Sequence, residues 1–441
     1  MSSRVDVGNA SVRGIATDDS KTYYRLLYVF GAIIVVGSLA AIIVPAGIKW
    51  DFGNFYDAGR RILAGQVNDL YAPNTLIAGQ EPQARTGFWG TPLSAYLYLP
   101  LALFSPIWGL MLFKLETAVF NIASLVLLYR YNRKYIVDSG GNEIKFAALF
   151  AFVGLIFQPI WTAFRTGGQT TPIVFFFLVL ALGALTRDQL FSSALYFSIA
   201  VMIKPALITA IAVFVLVMGF RYVKYTFYIF ATTGLVSLAV MGWHVHQEFL
   251  LLMTRGMNSS VPWFYNSGLY TTFENLKLFA PPDSWPKMYE GVLNVMKTVL
   301  KLGVLATFAF LFYKSRGRQW SAGARNHFNF LMAICFFSLF GHIVYEAYLT
   351  FLFIVLAYVV AASRHFSSQA RVLVGVMFFL CFWQNIVWMD LLRYFFNLNS
   401  VVELITIGLF KSAPLILLLV FLWRHHSELF ASYETASWQV E

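Results

Sequence analysis

The carboxylate of Asp51 stands directly after a long apolar run, between Trp50 and Phe52. Desolvation beside aromatic rings raises the basicity of a carboxylate, and basicity is the property that a general base needs. Asp57 adds a second acid six residues later in the same segment. The alternative is an interfacial acid paired with a neighbouring lysine or arginine. We therefore treat Asp51 as a candidate catalytic base and Asp57 as a candidate substrate-binding residue.

A glycine-containing turn joins two apolar runs at residues 165–172, with the sequence Arg-Thr-Gly-Gly-Gln-Thr-Thr-Pro. Such a turn presents Arg165, Gln169 and backbone N–H groups together, and these donors bind phosphate oxygens or sugar hydroxyls. A plain turn between two helices explains the segment equally well. The Lys-Ser/Thr ending of a nucleotide-binding P-loop is absent, which excludes that class of site.

Lys204 and Pro205 interrupt another long apolar stretch. Proline disfavours a helical residue before it, so a break here would place the Lys204 ammonium at the edge of the apolar region, beside an anionic headgroup. The alternative is a kinked helix whose lysine extends to the water. Lys204 is therefore a candidate ligand for a phosphate group, and Arg61 is a further candidate cation.

His342 and Glu346 are four residues apart and would share one face of a helix. Their spacing differs from the His-Glu-x-x-His of zinc hydrolases and no third ligand is evident, so they are predicted to line a polar cavity. Asn258, in a segment rich in aromatic residues, is a further candidate for substrate binding. No metal and no other cofactor is predicted.

Membrane helices must position these residues. The 441-residue chain is 59% hydrophobic and 12% charged, with a mean hydropathy of +0.66, whereas soluble domains carry about twice that charged fraction. A helix needs about 20 apolar residues to cross a bilayer, and runs near this length predict an all-α integral membrane protein with about twelve transmembrane helices. The runs centre on 26–48, 106–129, 145–164, 170–186, 190–203, 205–220, 223–243, 291–313, 326–341, 345–362, 371–391 and 400–423.

Basic residues indicate the orientation of these helices. Short loops carry the clusters 130–134 and 314–318, and the positive-inside bias places such loops in the cytoplasm. The candidate site residues then fall at outer helix ends. The basic loops also account for the +11 net charge, so no nucleic-acid partner is predicted. The two cysteines lie in apolar runs, which excludes a disulfide framework and a four-thiolate metal site.

The predicted organisation is one transmembrane domain between two cytoplasmic tails. Its first outer loop has apolar residues at helical spacing, which predicts amphipathic interfacial helices followed by a broken or re-entrant segment. The predicted bounds are 1–25 for the polar N-terminal tail, 26–424 for the membrane domain with outer loops 49–105 and 244–290, and 425–441 for the C-terminal tail.

Short motifs are dispersed from about residue 51 to residue 205: Asp51-Phe52, Phe55-Tyr56, Ala58, Leu63, Gly65, Leu70-Tyr71, Tyr98, Pro100-Leu101, Pro106, Gly168-Gln169 and Lys204-Pro205. Together they resemble the polytopic glycosyltransferases of family 87, which include a mycobacterial mannosyltransferase of phosphatidylinositol mannosides. Asp51 matches the aspartate that is regarded as the catalytic base in that family. His342 is similar in placement to a histidine in a late span of the mannosyltransferase. The family's Tyr-Pro-Pro is here Tyr98-Leu99-Pro100, which leaves the sugar and the acceptor open.

The resemblance implies the C-type membrane glycosyltransferase fold and an extracytoplasmic active site at a bacterial plasma membrane. The donor would be a polyprenyl-phosphate-linked sugar, mannose or another hexose, and the acceptor a glycolipid or an envelope glycan. Asp51 and His342 would be catalytic, and the transfer would be inverting. A transporter or flippase of a lipid-linked sugar is the main alternative, and a non-catalytic scaffold is another. Transporters place coupling groups near the bilayer midplane, whereas the polar residues here gather on one side.

Overall fold

The structure of the chain is a computed structural model. It describes residues 10–43, 50–73, 87–137, 142–157, 159–161, 168–208, 217–258, 268–270, 287–341, 344, 346–382 and 400–435. All regular secondary structure in these segments is helical. This confirms the predicted all-helical class.

The described residues form α-helices of four to 39 residues and several short 3-10 helices. The α-helices are α1 (Ala10–Ile43), α2 (Trp50–Leu63), α3 (Leu99–Ala102), α4 (Pro106–Val137), α5 (Glu143–Ile156), α6 (Thr171–Thr186), α7 (Leu190–Ile203), α8 (Phe220–Asn258), α9 (Lys287–Arg316), α10 (Ala322–Phe340), α11 (Leu352–Ala361), α12 (Ser368–Phe382), α13 (Ser400–Arg424) and α14 (His426–Thr435). The 3-10 helices are Val67–Asp69, Pro92–Tyr98, Pro205–Leu207, Glu346–Phe351 and Ser363–His365.

Several of these helices are long and apolar enough to cross a membrane. In the described part of the chain they are Lys21–Ile43, Pro106–Arg133, Phe220–Thr254 and Glu290–Arg316, and the pair Ser412–Arg424 and His426–Glu434, bent by 66°, makes a fifth if it is one span. Other apolar helices are shorter: α6 has 16 residues and is about 24 Å long, less than the roughly 30 Å of a hydrocarbon core. The multi-pass membrane character is confirmed, whereas the number of spans stays a prediction.

Helices α6, α10 and α11 form the interior of the bundle. Their side chains are buried nearly all round, which is the pattern of a helix surrounded by other helices. By contrast, α1, α8 and α9 expose large apolar side chains such as Ile33, Leu235 and Val299. Apolar surface of this kind belongs in lipid.

Helix α8 is kinked close to the predicted end of a span. The sequence placed that end near residue 243 and an outer loop from residue 244, and the structure has two helices that meet in a kink at Gly242 (φ 79°, ψ 167°), the second of which runs to Asn258. A positive φ is readily adopted by glycine, so Gly242 lets the chain change direction near the predicted boundary. The start of the predicted loop 244–290 is therefore helical, and in the same way α1 begins at Ala10, inside the predicted tail 1–25.

The first predicted outer loop contains the amphipathic helix α2. Its apolar side chains pack against the 3-10 helix Pro92–Tyr98, where Phe55 stacks on Tyr98 with 4.7 Å between ring centroids. A Cβ on Gly59 would lie 2.6 Å from the Tyr98 carbonyl oxygen, so this glycine is needed for the close approach. The short helix α3 and then α4 follow, which confirms a broken segment before the long helix.

Basic residues gather at the end of the bundle where α6 finishes. Near this end a Cβ on Gly183 would overlap the Tyr131 hydroxyl of α4, and Asn326 of α10 donates to the Leu185 carbonyl at 3.3 Å. Because α6 has 16 residues, its first residue, Thr171, lies about 24 Å away. The basic residues of this end include Arg130, Arg133, Arg187, Arg318 and Arg325.

The C-terminal helix α14 closes the same end of the bundle. The His327 ring nitrogen Nδ1 lies 2.8 Å from the Tyr433 hydroxyl, and Arg318 forms an ion pair with Glu434 at 2.6 Å. Residues 426–435 of the predicted C-terminal tail therefore pack against the bundle.

Candidate active site

The first turn of α2 meets the segment that leads into α6. Gly168 has φ +136°, in the range that favours glycine, and a Cβ on it would overlap the Phe52 Cβ. No side chain fits at this point of contact. The two sequence motifs therefore approach each other through backbone, and their polar residues, Asp51 and Gln169, become neighbours.

Asp51 accepts a hydrogen bond from Gln169 across 118 residues of sequence. The amide Nε2 of Gln169 donates to the carboxylate Oδ2. Both side chains are partly exposed, so the carboxylate is surrounded by protein but still reachable from outside. Two candidate site residues from distant parts of the sequence are therefore in direct contact.

Lys204 lies at the break between α7 and the 3-10 helix Pro205–Leu207. Its ammonium Nζ donates to the Thr171 hydroxyl at 3.1 Å and lies 3.7 Å from the centroid of the Tyr348 ring. Lys204 is 7% exposed, and its charge acts on Asp51. The break that the proline predicted has therefore buried this lysine in the protein, and its partner Thr171 lies two residues after Gln169, the partner of Asp51.

Burial and charge act in opposite directions on Asp51 and Lys204, which both lie beyond the ends of the apolar helices. Burial raises the pKa of Asp51, while the Lys204 charge and the Gln169 hydrogen bond oppose that rise. Burial lowers the pKa of Lys204, and the Asp51 charge opposes that fall. A carboxylate with a raised pKa binds a proton more readily than an ordinary one, as a general base requires.

The residue before the 3-10 helix Pro92–Tyr98 also fixes the end of α7. Thr91 donates to the Met202 carbonyl from its backbone N–H, at 3.2 Å, and from its hydroxyl, at 3.0 Å. Met202 precedes Lys204 by two residues. The segment that packs on α2 therefore positions both the carboxylate and the ammonium.

Asp57 and Arg61, predicted to bind substrate, form a buried ion pair at 2.8 Å. Arg61 also donates to the backbone carbonyls of Asp69, Ala72 (3.1 Å) and Pro73 (2.9 Å). These contacts hold the loop after α2 against the helix. Substrate binding by this pair stays a prediction, and its described contacts are those of a loop anchor.

Four predicted site residues fall outside the described side chains. Arg165 and His342 lie outside the described residues altogether. Asn258 is the last residue of α8 and Glu346 the first of a 3-10 helix, which places their backbone but not their side chains. The predicted roles of all four stay predictions.

Thr171 and Tyr348 were not singled out from the sequence, yet both contact Lys204. Thr171 belongs to the same segment, 165–172, as Gln169. Its position two residues after Gln169 is the feature of the sequence that could have identified it. Tyr348 follows Glu346 by two residues. Several aromatic residues surround it in the sequence, so nothing in the sequence marks this one as a contact of the site. Within the described residues, no group of three His, Cys, Asp or Glu side chains is arranged to hold a metal ion.

The fold and the site define an all-helical membrane protein with a carboxylate, an amide and an ammonium clustered at one end of its bundle. The sequence model of glycosyltransferase family 87 matches residues 88–340, more than half of the chain. The chain therefore belongs to glycosyltransferase family 87 and is a membrane glycosyltransferase, which confirms the resemblance and argues against the transporter and the scaffold. No curated protein matches the sequence. The matched region contains Gln169 and Lys204 and begins after Asp51.

Replacing Gly168 by alanine should separate α2 from the start of α6 and displace Asp51 from Gln169. We expect glycosyl transfer to fall by about a hundredfold, the scale associated with a misplacement of about 1 Å at a reacting group. The matched control is Gly65→Ala, since Gly65 also has a positive φ but has no atom within 4 Å of the point where a Cβ would lie. Equal activity of the two variants in a transfer assay would show that the close contact is unimportant.

Replacing Arg61 by methionine should leave the Asp57 carboxylate buried without its ion-pair partner. We expect a loss of about 3 kcal/mol in stability, the low end of the range for breaking a buried pair. The measurement is the midpoint of thermal unfolding in detergent. The double variant Asp57→Asn, Arg61→Met removes both charges and should recover part of the loss. A raised donor KM with an unchanged midpoint would instead assign Arg61 to substrate binding.

Proposed function

We propose that the protein transfers a hexose, with mannose as the first candidate, from a polyprenyl-phosphate carrier to a glycolipid or envelope glycan acceptor. The reaction takes place at the extracytoplasmic face of a bacterial plasma membrane, on a C-type glycosyltransferase fold with about twelve spans. One observation carries the proposal: the Asp51 carboxylate is desolvated yet partly exposed, and it is held by Gln169 opposite the Lys204 charge.

The proposed chemistry is a single inverting displacement. The acceptor hydroxyl oxygen attacks the anomeric carbon of the donor sugar while its proton passes to the Asp51 carboxylate. The bond between the anomeric carbon and the phosphate oxygen breaks, and its electron pair leaves with polyprenyl phosphate. The products are the glycosylated acceptor, polyprenyl phosphate and a protonated Asp51, which then releases its proton to water.

The position of the site in the bundle supports its proposed sidedness. Asp51 and Lys204 lie at the Thr171 end of α6, whereas Arg187 and the other basic residues named above lie at its opposite end. Basic loops are retained in the cytoplasm. A site at the other end of a helix about 24 Å long then faces the outer side of the membrane.

A lipid-linked donor suits the surfaces around this site. The carrier tail needs lipid contact, and the exposed apolar side chains of α4, such as Ile107 and Trp108, provide it near the first outer segment. The phosphate and the sugar need polar partners at the helix ends. We propose Arg165 for the phosphate, with Asn258, His342 and Glu346 around the sugar and the base.

Replacing Asp51 by asparagine should remove the proton acceptor while keeping an oxygen that accepts the Gln169 hydrogen bond. We expect kcat to fall by at least about 100-fold, the usual scale for a lost general base. The assay measures transfer from a purified polyprenyl-phosphate sugar by the purified protein.

The matched control is Asp69→Asn, because Asp69 is an exposed acid in the following loop whose backbone carbonyl, not its carboxylate, contacts Arg61. This variant should transfer sugar at the normal rate. Near-normal transfer by Asp51→Asn would remove Asp51 from the role of base.

A further inference from the structure

We infer that Lys204 is a positioning residue that keeps Asp51 ionised, and that Tyr348 and Thr171 hold Lys204 in this role instead of leaving it for the donor phosphate. This inference rests on the proposed function of Asp51 and revises the predicted role of Lys204 as a phosphate ligand. It also gives a role to Tyr348, which lies beyond the region matched by the family.

Protein groups surround the Lys204 ammonium on several sides. Thr171 accepts a hydrogen bond at 3.1 Å, the face of the Tyr348 ring lies at 3.7 Å, and Asp51 supplies the opposing charge. With 7% exposure, Lys204 offers little surface to a second anion. A phosphate could therefore bind this ammonium directly only where the small exposed part of Lys204 is accessible.

Tyr348 is itself held firmly. It is 8% exposed and belongs to the 3-10 helix Glu346–Phe351. Its ring centroid lies 6.3 Å from those of Phe337 and Phe351, with the ring planes inclined by 30° and 26°. A ring fixed in this way presents its negative face to the ammonium. The attraction comes from the π face, so phenylalanine retains it and leucine does not.

Among the described residues, the groups around Lys204 favour a coupling between its charge and that of Asp51. On α2, the Asp51 carboxylate accepts from Gln169, two residues before the Thr171 that contacts Lys204, while Asp57 is paired with Arg61. On the other packed elements, α6 contributes the Thr171 hydroxyl and the 3-10 helix contributes the Tyr348 ring. Burial alone favours a neutral lysine, whereas the ring face and the carboxylate favour its charged form. Loss of the ring therefore weakens the positive charge that opposes protonation of Asp51.

The direction of the resulting pH effect follows from the role of Asp51. A general base works in its deprotonated form, so kcat falls as the pH drops through the pKa of the carboxyl group. A weaker charge on Lys204 makes Asp51 hold its proton to higher pH. The acid limb of the kcat profile then moves to higher pH, while donor binding is unaffected.

The test compares Tyr348→Leu with Tyr348→Phe in the purified full-length protein, with kcat and donor KM measured across the pH range. We expect the leucine variant to shift the acid limb upward by about one pH unit, with a donor KM within about twofold of the wild type. The phenylalanine variant should keep the acid limb of the wild type. A leucine variant with a raised donor KM and an unshifted limb would overturn the inference, as would a phenylalanine variant that shifts the limb equally.

A second measurement separates this inference from the proposed function. Thermal midpoints of Asp51→Asn, Lys204→Met and the double variant form a cycle that requires no substrate. Changes that are strongly non-additive support the coupling of Asp51 to Lys204, even if the wild type fails to use a polyprenyl-phosphate sugar and the proposed function is lost. Additive changes overturn the inference whatever the enzyme's activity.

Discussion

A carboxylate and an ammonium cannot be removed from water separately without a large loss of solvation, and this constraint governs the arrangement around Asp51 and Lys204. The loss is offset only when the two charges oppose each other and their remaining hydrogen-bonding positions find partners. Gln169 provides a donor to the carboxylate and Thr171 an acceptor for the ammonium. The start of α2, the start of α6 and the end of α7 must therefore meet at one place.

Each of these partners lies where a helix begins or ends, because a membrane protein can leave regular helix only where other protein or water satisfies the backbone. Gly168 allows α2 and α6 to touch without an intervening side chain, and Pro205 ends α7 at the lysine. Thr91 closes the arrangement through two hydrogen bonds to Met202. The site is thus made from interruptions of helices, while the apolar helices set the distances between them.

The sequence predicted part of this arrangement for a physical reason. Asp51, Gln169 and Lys204 were identifiable because polar residues beside apolar runs are costly and must have partners. The same rule selected Asp57 and Arg61, but their spacing of four residues on α2 lets them pair with each other. Tyr348 could not be selected, because its contact with Lys204 depends on how distant helices pack. The helix that follows the kink at Gly242 was not predicted, because hydropathy marks the end of an apolar run and not the regular structure after it.

The region matched by the family begins at residue 88, after the carboxylate that we propose as the base. The packing of α2 explains how a base outside the matched region can still serve the activity of the family. Gly168 and Gln169, inside the matched region, contact the first turn of α2, and Lys204 supplies the opposing charge. A carboxylate on a separate short helix gains its altered basicity from groups in the matched region. The reactivity of Asp51 is therefore a property of the packed helices, and substitutions in the matched region will change it without touching the acid itself.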